Sequence, residues 1–401
     1  MKIFRLSIVL FAITVICSPG RPCTIFCAKD SKGHVWAGNN EDFNYFTFDT
    51  KIKIKPRTDS TLGYICFTYA HNVFPQGGVN EAGLFYDFNA IAASDIKDAD
   101  KKVPFPGDNG YEMVLYMLEH CNTVPEVMEL FDKYKMPWMN KAQMHLADKF
   151  GNMGIIVADS AWITTANYQV STNYNLSHVN KDNIECWRYP IAEAVLNTSE
   201  PNFETFENIC NSTSQRIIVS TIYSNVHNLN TGEMRLYYAW DYEIPYKTTV
   251  NELMEFGDTL FPIRDLFPNQ YLVKAYYTLL AKDFQEALKE LNEIEDSIVR
   301  EDMLKLLALD LFFGSTKEHT DDDLVYQIIE ASNHEELLYL ISQKATSIAN
   351  RKHAKKKLET INKAGISYML FIWLAIVVFI SLIIIKVIKR NKRQLTKKEM
   401  N

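Results

Sequence analysis

The sequence contains no Cys-x-x-Cys pair and no cluster of histidines at metal-ligand spacing, so no zinc ribbon or finger can be read from it. Histidine is scarce, nine in 401 residues, and none stands in a Cys-His motif. A net positive charge is missing from the body. The tail from Lys386 to Asn401 carries seven Lys or Arg and one Glu, and taking that +6 from the whole-chain −7 leaves −13 for residues 1–385. An acidic body has no electrostatic footprint for nucleic acid. Disorder is excluded as well, because 47% hydrophobic content supports a sizeable core and the length suggests two or three compact units.

What is present begins with two apolar segments. Lys2 and Arg5 precede the apolar stretch Leu6 to Ile16, and Ser18, Pro19 and Gly20 follow, the pattern of a secretory signal. Ile16 before Cys17 excludes a lipoprotein box. Ala364 to Ile385 gives 22 residues without a charge, the length needed to cross a hydrocarbon core of about 30 Å. The basic tail after it reads as cytoplasmic by the positive-inside rule, with head-group contact as its simplest role. The chain is therefore expected to be a single-pass membrane protein with its body outside the cytoplasm.

Between these segments the character changes once. From Cys23 to about Tyr246, stretches such as "TIFCAKD", "LGYICFTYA", "GLFYDFNAI" and "RIIVSTIYSNV" are rich in β-branched and aromatic residues, and Asp30-Ser31-Lys32-Gly33 reads as a hairpin turn. Helical patterns intervene at "GYEMVLYMLEHC", "TVPEVMELFDKY" and "PIAEAVLN". Strands, a helix pair and more strands imply a layered α+β domain. Residues 248–363 show helical amphipathicity, as in "AKDFQEALKELNEI", and read as a helical stalk. The expected organisation is a leader segment (1–22), the α+β domain (23–247), the stalk (248–363), a transmembrane helix (364–385) and a cytoplasmic tail (386–401).

Seven cysteines occur, and six remain after Cys17 leaves with the signal; their spacing does not assign any pairing. Cys23 has a second possibility. As the first residue of a processed chain, its own α-amino group, with a pKa of about 7.7 to 8.0, can serve as base for its thiol, and no histidine is needed.

The run "CTIF" followed by "GNNEDF" resembles the start of the N-terminal-nucleophile hydrolases, in particular the choloylglycine hydrolase and penicillin V acylase family of linear-amide hydrolases. That family has a processed Cys-Thr followed by Gly-Arg-Asn-x-Asp. Here Gly38 to Asp42 occupies the second element, and the 19-residue separation of Cys23 and Asp42 agrees with the family. "GGVNEAGLFYDFNAI", "HLADKFGNMGIIVAD", "STNYN", "CWRYPIA" and "TIYSNVHNLNTGEMRLYYAWDY" then resemble later family segments in the expected order. The resemblance covers about residues 23–246.

It implies a four-layer αββα sandwich, followed here by the helical region and the transmembrane helix. It also implies amide hydrolysis through a Cys23 thioester. Asp42 would polarise the terminal amine, Asn89 and Asn173 would donate to the oxyanion, and Arg188 would hold the network or substrate. Asn39 takes the substrate-binding position where the family carries arginine, and an amide cannot supply that charge. The partner is then a small-molecule amide, with no metal or organic cofactor called for. Asn39 and Asp42, three apart, point to opposite faces of a straight strand, so both line one site only if the chain bends after Gly38.

Each residue also has a plainer reading. Cys23 is a disulfide half, with Cys66 as one partner, or simply buried. Cys27 is core, Asn39 to Glu41 are turn residues, and Arg188 stacks on Trp187 and Tyr189. A cysteine dipeptidase of the related family and an inactive anchored binding protein on the same fold are the competing functions. Signal cleavage after Gly20 fits better than after Pro22, so loss of Arg21-Pro22 is expected as a second step.

Overall fold

The computed structural model describes residues 23–43, 50–69, 74–107, 110–179, 184, 186–215, 220–280 and 284–295, with shorter pieces from 297 to 361. The expected leader (1–22), the apolar run 364–385 and the basic tail lie outside the described residues. Among the described residues no helix is long and apolar enough to cross a membrane. The described residues divide into two compact units, the first running from 23 to 290 and the second made of the described residues from 291 onward.

The first unit holds two antiparallel sheets. One has six strands in the order β10-β1-β2-β11-β12-β13, where β1 is Thr24–Lys29, β2 Val35–Phe43, β10 Tyr168–Ser171, β11 Ser220–Asn228, β12 Glu233–Tyr238 and β13 Tyr246–Thr249. The other has eight, β9-β8-β7-β6-β5-β4-β3-β14, built from β3 Lys51–Lys55, β4 Tyr64–Thr68, β5 Pro75–Asn80, β6 Leu84–Ala90, β7 Ala142–Asp148, β8 Met153–Ile156, β9 Ala161–Ile163 and β14 Thr259–Pro262. Helices α1 (Tyr111–His120) and α2 (Val124–Lys133) cover the outer face of the eight-stranded sheet, and α3 (Arg188–Thr198) and α4 (Phe203–Thr213) cover the six-stranded one. The layers therefore run helix, sheet, sheet, helix, the order that the resemblance implied.

Local chemistry explains the elements. Asp30 Oδ1 accepts from the backbone N–H groups of Lys32 (2.9 Å) and His34 (2.8 Å), and Gly33 takes φ 84°, so the expected turn closes the β1–β2 hairpin. Thr123 and Glu126 form a reciprocal capping box that starts α2. Met113, Met117, Val127 and Leu130 from the two helices pack onto Tyr86, Met144 and Leu146 of the sheet. Strand β3, "KIKIK", buries Ile52 and Ile54 and turns its lysines outward, where Lys53 and Lys55 pair with Asp258.

By contrast β2 and β11 are buried along their whole length, because sheet lies on one side and helix on the other. The polar run Asn39 to Asp42 is accordingly strand rather than turn. Facing rings such as Phe67 and Tyr223, 4.9 Å apart, join the sheets. The boundary expected at residue 247 falls inside β13, and β14 beyond it completes the eight-stranded sheet beside β3. Helices α6 (Tyr271–Leu280) and α7 (Phe284–Asn292) follow, while α5 (Val250–Met254) is a single turn. In the second unit, α8 (Glu335–Lys344) and helical residues 348–361 continue the helical character.

Candidate active site

The site lies at the start of β1. Cys23 precedes the strand, and pairing of Thr24 with Asn40 and of Ile25 with Asn39 sets it beside the far end of β2. Its thiol is 3.8 Å from the Asp42 carbonyl oxygen. Its own carbonyl accepts from Arg188 (2.7 Å) and from Asn89 Nδ2 (3.3 Å). All six cysteines from Cys23 onward are unpaired thiols. The disulfide reading of Cys23 is thereby removed, and Cys66 belongs instead to the core beneath α1 and α2.

Arg188, the first residue of α3, is the organiser. Besides the Cys23 carbonyl it donates to Thr24 Oγ1 (2.8 Å) and Asn173 Oδ1 (3.0 Å), and it sits 3.6 Å from Asp42. This buried side chain makes polar contacts, while its neighbour Trp187 is exposed. Asn173 in turn donates to the Ala90 carbonyl (2.9 Å), which ties the loop after β10 to the end of β6. Four expected residues, Cys23, Asn89, Asn173 and Arg188, thus share one hydrogen-bonded group, and Asp42 joins through its ion pair.

Asp42 is fully buried, accepting from Thr221 Oγ1 and from Gln215 Nε2 at 2.8 Å. Burial raises its carboxyl to about 7, with Arg188, Thr221 and Gln215 pulling the other way. Between the ordinary value of 3.8 and about 7 the folded chain holds a proton that the unfolded chain has released. The stability from this group is therefore complete below the ordinary carboxylate range and is lost as pH rises through about 7. In the unprocessed protein, urea unfolding should show Asp42→Asn gaining on the wild type by roughly 4 kcal/mol between pH 3 and 8, at 1.36 kcal/mol per unit. A difference that does not change with pH would refute this.

Asn39 and Asp42 lie on opposite faces of β2. Strand β2 continues unbroken past Gly38, so Asn39 and Glu41 face the second sheet while Asn40 and Asp42 face the helices. Asn39 donates to Asp87 Oδ2 (2.6 Å), and Glu41 accepts from the Tyr69 hydroxyl. Asn40 anchors α4, donating to the Cys210 carbonyl (2.8 Å) and Thr213 Oγ1 (3.0 Å). Burial and the neighbouring Glu41 hold the Asp87 carboxyl well above its usual range.

Sequence reasoning missed Asp87, Thr221 and Gln215. Asp87 had a signal, a lone acid inside the aromatic strand "FYDFNA"; Gly77 opposite it leaves the space, since a Cβ there would overlap the carboxylate. The other two had none. Burial, and after it Glu41, Asp42 and Asp87, push the Cys23 thiol well above its usual range, so in the unprocessed chain it stays protonated. Among the described residues no group of three or more His, Cys, Asp or Glu side chains is arranged to hold a metal ion.

No protein-family model matches the chain, nor does any curated protein. Solved structures do. Penicillin V acylase from Agrobacterium tumefaciens aligns at 15% identity over 54% of this chain and 83% of its own, with a TM-score of 0.41. A variant of conjugated bile acid hydrolase from Clostridium perfringens aligns at 13% identity over 60% and 96%, with a TM-score of 0.46. The Caenorhabditis elegans ortholog of N-acylethanolamine-hydrolyzing acid amidase aligns at 15% identity over 52% and 93%, with a TM-score of 0.39.

Proposed function

We propose that this protein is an N-terminal-nucleophile hydrolase that cleaves a linear, non-peptide amide through a thioester on Cys23, held on the outer face of a membrane by residues 364–385. The observation that carries the reading is the convergence of Asp42, Asn89 and Arg188 on Cys23, with Asn173 held in place by Arg188. Four segments far apart in sequence bring to one cysteine the groups that acyl transfer needs: an acid partner, two amide donors and a cation.

The nitrogen of Cys23 is a peptide amide until Arg21-Pro22 is lost, and a peptide amide cannot act as a base. Processing supplies the base and brings an ammonium next to Asp42, which lowers that carboxyl. The amine takes the thiol proton and sulfur attacks the amide carbonyl. Asn89 and Asn173 donate to the oxyanion, a term of about 2.7 to 4 kcal/mol per donor in a studied protease. The proton passes to the leaving nitrogen as the C–N bond breaks. Water then cleaves the thioester and restores the thiol.

The competing reading, an anchored binding protein, draws on one observation: Cys23 is 2% exposed and its thiol is pushed up. Mass spectrometry of the mature N-terminus, with turnover measured against a panel of N-acyl amino acids and unblocked dipeptides, separates the three functions. The proposal expects Cys23 as first residue and hydrolysis of N-acyl compounds. Active material beginning at any other residue sinks it, and preference for free-amine dipeptides would make the protein a dipeptidase.

A further inference from the structure

Two buried groups take no part in the chemistry above: the Cys27 thiol and the His145 imidazole, 3.1 Å apart. His145 Nδ1 lies 2.9 Å from Ser171 Oγ, and Ser171 Oγ lies 2.6 Å from Asn89 Oδ1. Asn89 Nδ2 then reaches the Cys23 carbonyl. The contacts pass from sheet to sheet four times, since Cys27 and Ser171 sit in the six-stranded sheet and His145 and Asn89 in the eight-stranded one.

The direction of every hydrogen bond follows from two backbone groups. The Leu176 N–H must donate, so Gln143 turns its Oε1 toward it (3.0 Å) and its Nε2 toward Asn89 Oδ1 (3.5 Å). The Cys23 carbonyl must accept, which turns Asn89 Nδ2 toward it. Asn89 Oδ1 is then an acceptor only, and Ser171 spends its one hydroxyl proton there. His145 must therefore donate from Nδ1. Burial lowers the imidazole to about 3, so it is neutral with a single N–H, and Nε2 accepts from the Cys27 thiol.

We infer that Cys27, His145 and Ser171 form a one-way hydrogen-bond relay that positions Asn89 as oxyanion donor, with His145 locked in the Nδ1–H tautomer. The relay rests on the proposed function for its purpose. An amide left without an anchor on its oxygen can rotate by half a turn and present that oxygen to the developing oxyanion. Ser171 prevents the rotation, with Gln143 as a longer second anchor. These are positioning residues, and Asn89 is the group that meets substrate.

Two measurements test the relay. In the full-length protein labelled with 15N-histidine, the signal missing from His145→Gln should show a protonated Nδ1 and a bare Nε2. A protonated Nε2, or an imidazolium, overturns the relay whatever the protein hydrolyses. With the best N-acyl amino acid of the panel, Ser171→Ala should lower kcat about tenfold or more with KM within twofold, and Ser171→Thr should restore it. An unchanged kcat, or a fall shared by KM and left unrescued by threonine, also overturns it. A wild type with no turnover refutes the proposed hydrolase, and the tautomer then decides the relay by itself.

Discussion

Cys23→Ala should lower kcat for the best N-acyl substrate by about 10⁴-fold or more, the size seen when a covalent nucleophile is removed while its surroundings stay. The loss is chemical rather than structural. The thiol's hydrogen bond to the Asp42 carbonyl, at 3.8 Å, is long and weak, so its removal costs little stability. The groups that hold the site together grip the Cys23 backbone carbonyl, which alanine retains. Thermal unfolding within a few degrees of wild type should therefore accompany the loss. Labelling of residue 23 by a thiol-directed probe should vanish as well. Retention of turnover in Cys23→Ala, measured on purified protein, would end the thioester mechanism.

Arg188→Ala should do the opposite and damage both folding and turnover. The guanidinium satisfies the Cys23 carbonyl, Thr24 and Asn173, and is the cation beside Asp42. Its removal takes three hydrogen bonds from the network and leaves a buried carboxyl without its counter-charge, and breaking such a buried pair costs about 3–5 kcal/mol. At roughly 2–4 °C per kcal/mol for a unit of this size, Tm should fall by on the order of 10 °C. Lysine should rescue only in part, since a single ammonium cannot reach the Cys23 carbonyl and Asn173 at once in the planar geometry that the fork supplies. The deficit should shrink at low pH, where Asp42 is already neutral, and shrink again in the Asp42→Asn background. Calorimetry on the four members of that cycle checks this. Additive effects at pH 7 would show that the 3.6 Å approach carries no coupling.

Much of this architecture is legible in the sequence. The composition change near residue 246, the hairpin turn at Asp30 to Gly33 and the helix patterns at Tyr111 and Val124 are local signals, set by backbone propensity and side-chain periodicity. Cys23, Asn89, Asn173 and Arg188 were legible through the order of motifs along the chain. Asn39 to Asp42 shows where local reading ends. As a peptide the run favours a turn, yet it forms the middle of a strand, because burial on both faces by sheet and helix gives each of its side chains a partner. The same burial separates Asn39 from Asp42 and hands Asn39 to Asp87.

By itself, then, the sequence determined the hairpin turn at Asp30 to Gly33 and the helices that start at Tyr111 and Val124, because these depend on neighbours along the chain. Only the tertiary structure decided that β14 completes the second sheet, that Thr221 and Gln215 hold Asp42, and that Cys27, His145 and Ser171 line up behind Asn89. Those pairings join residues up to 211 positions apart, Lys51 and Pro262. Which buried polar group meets which depends on register and on how the sheets face each other, and no local property of the chain encodes that.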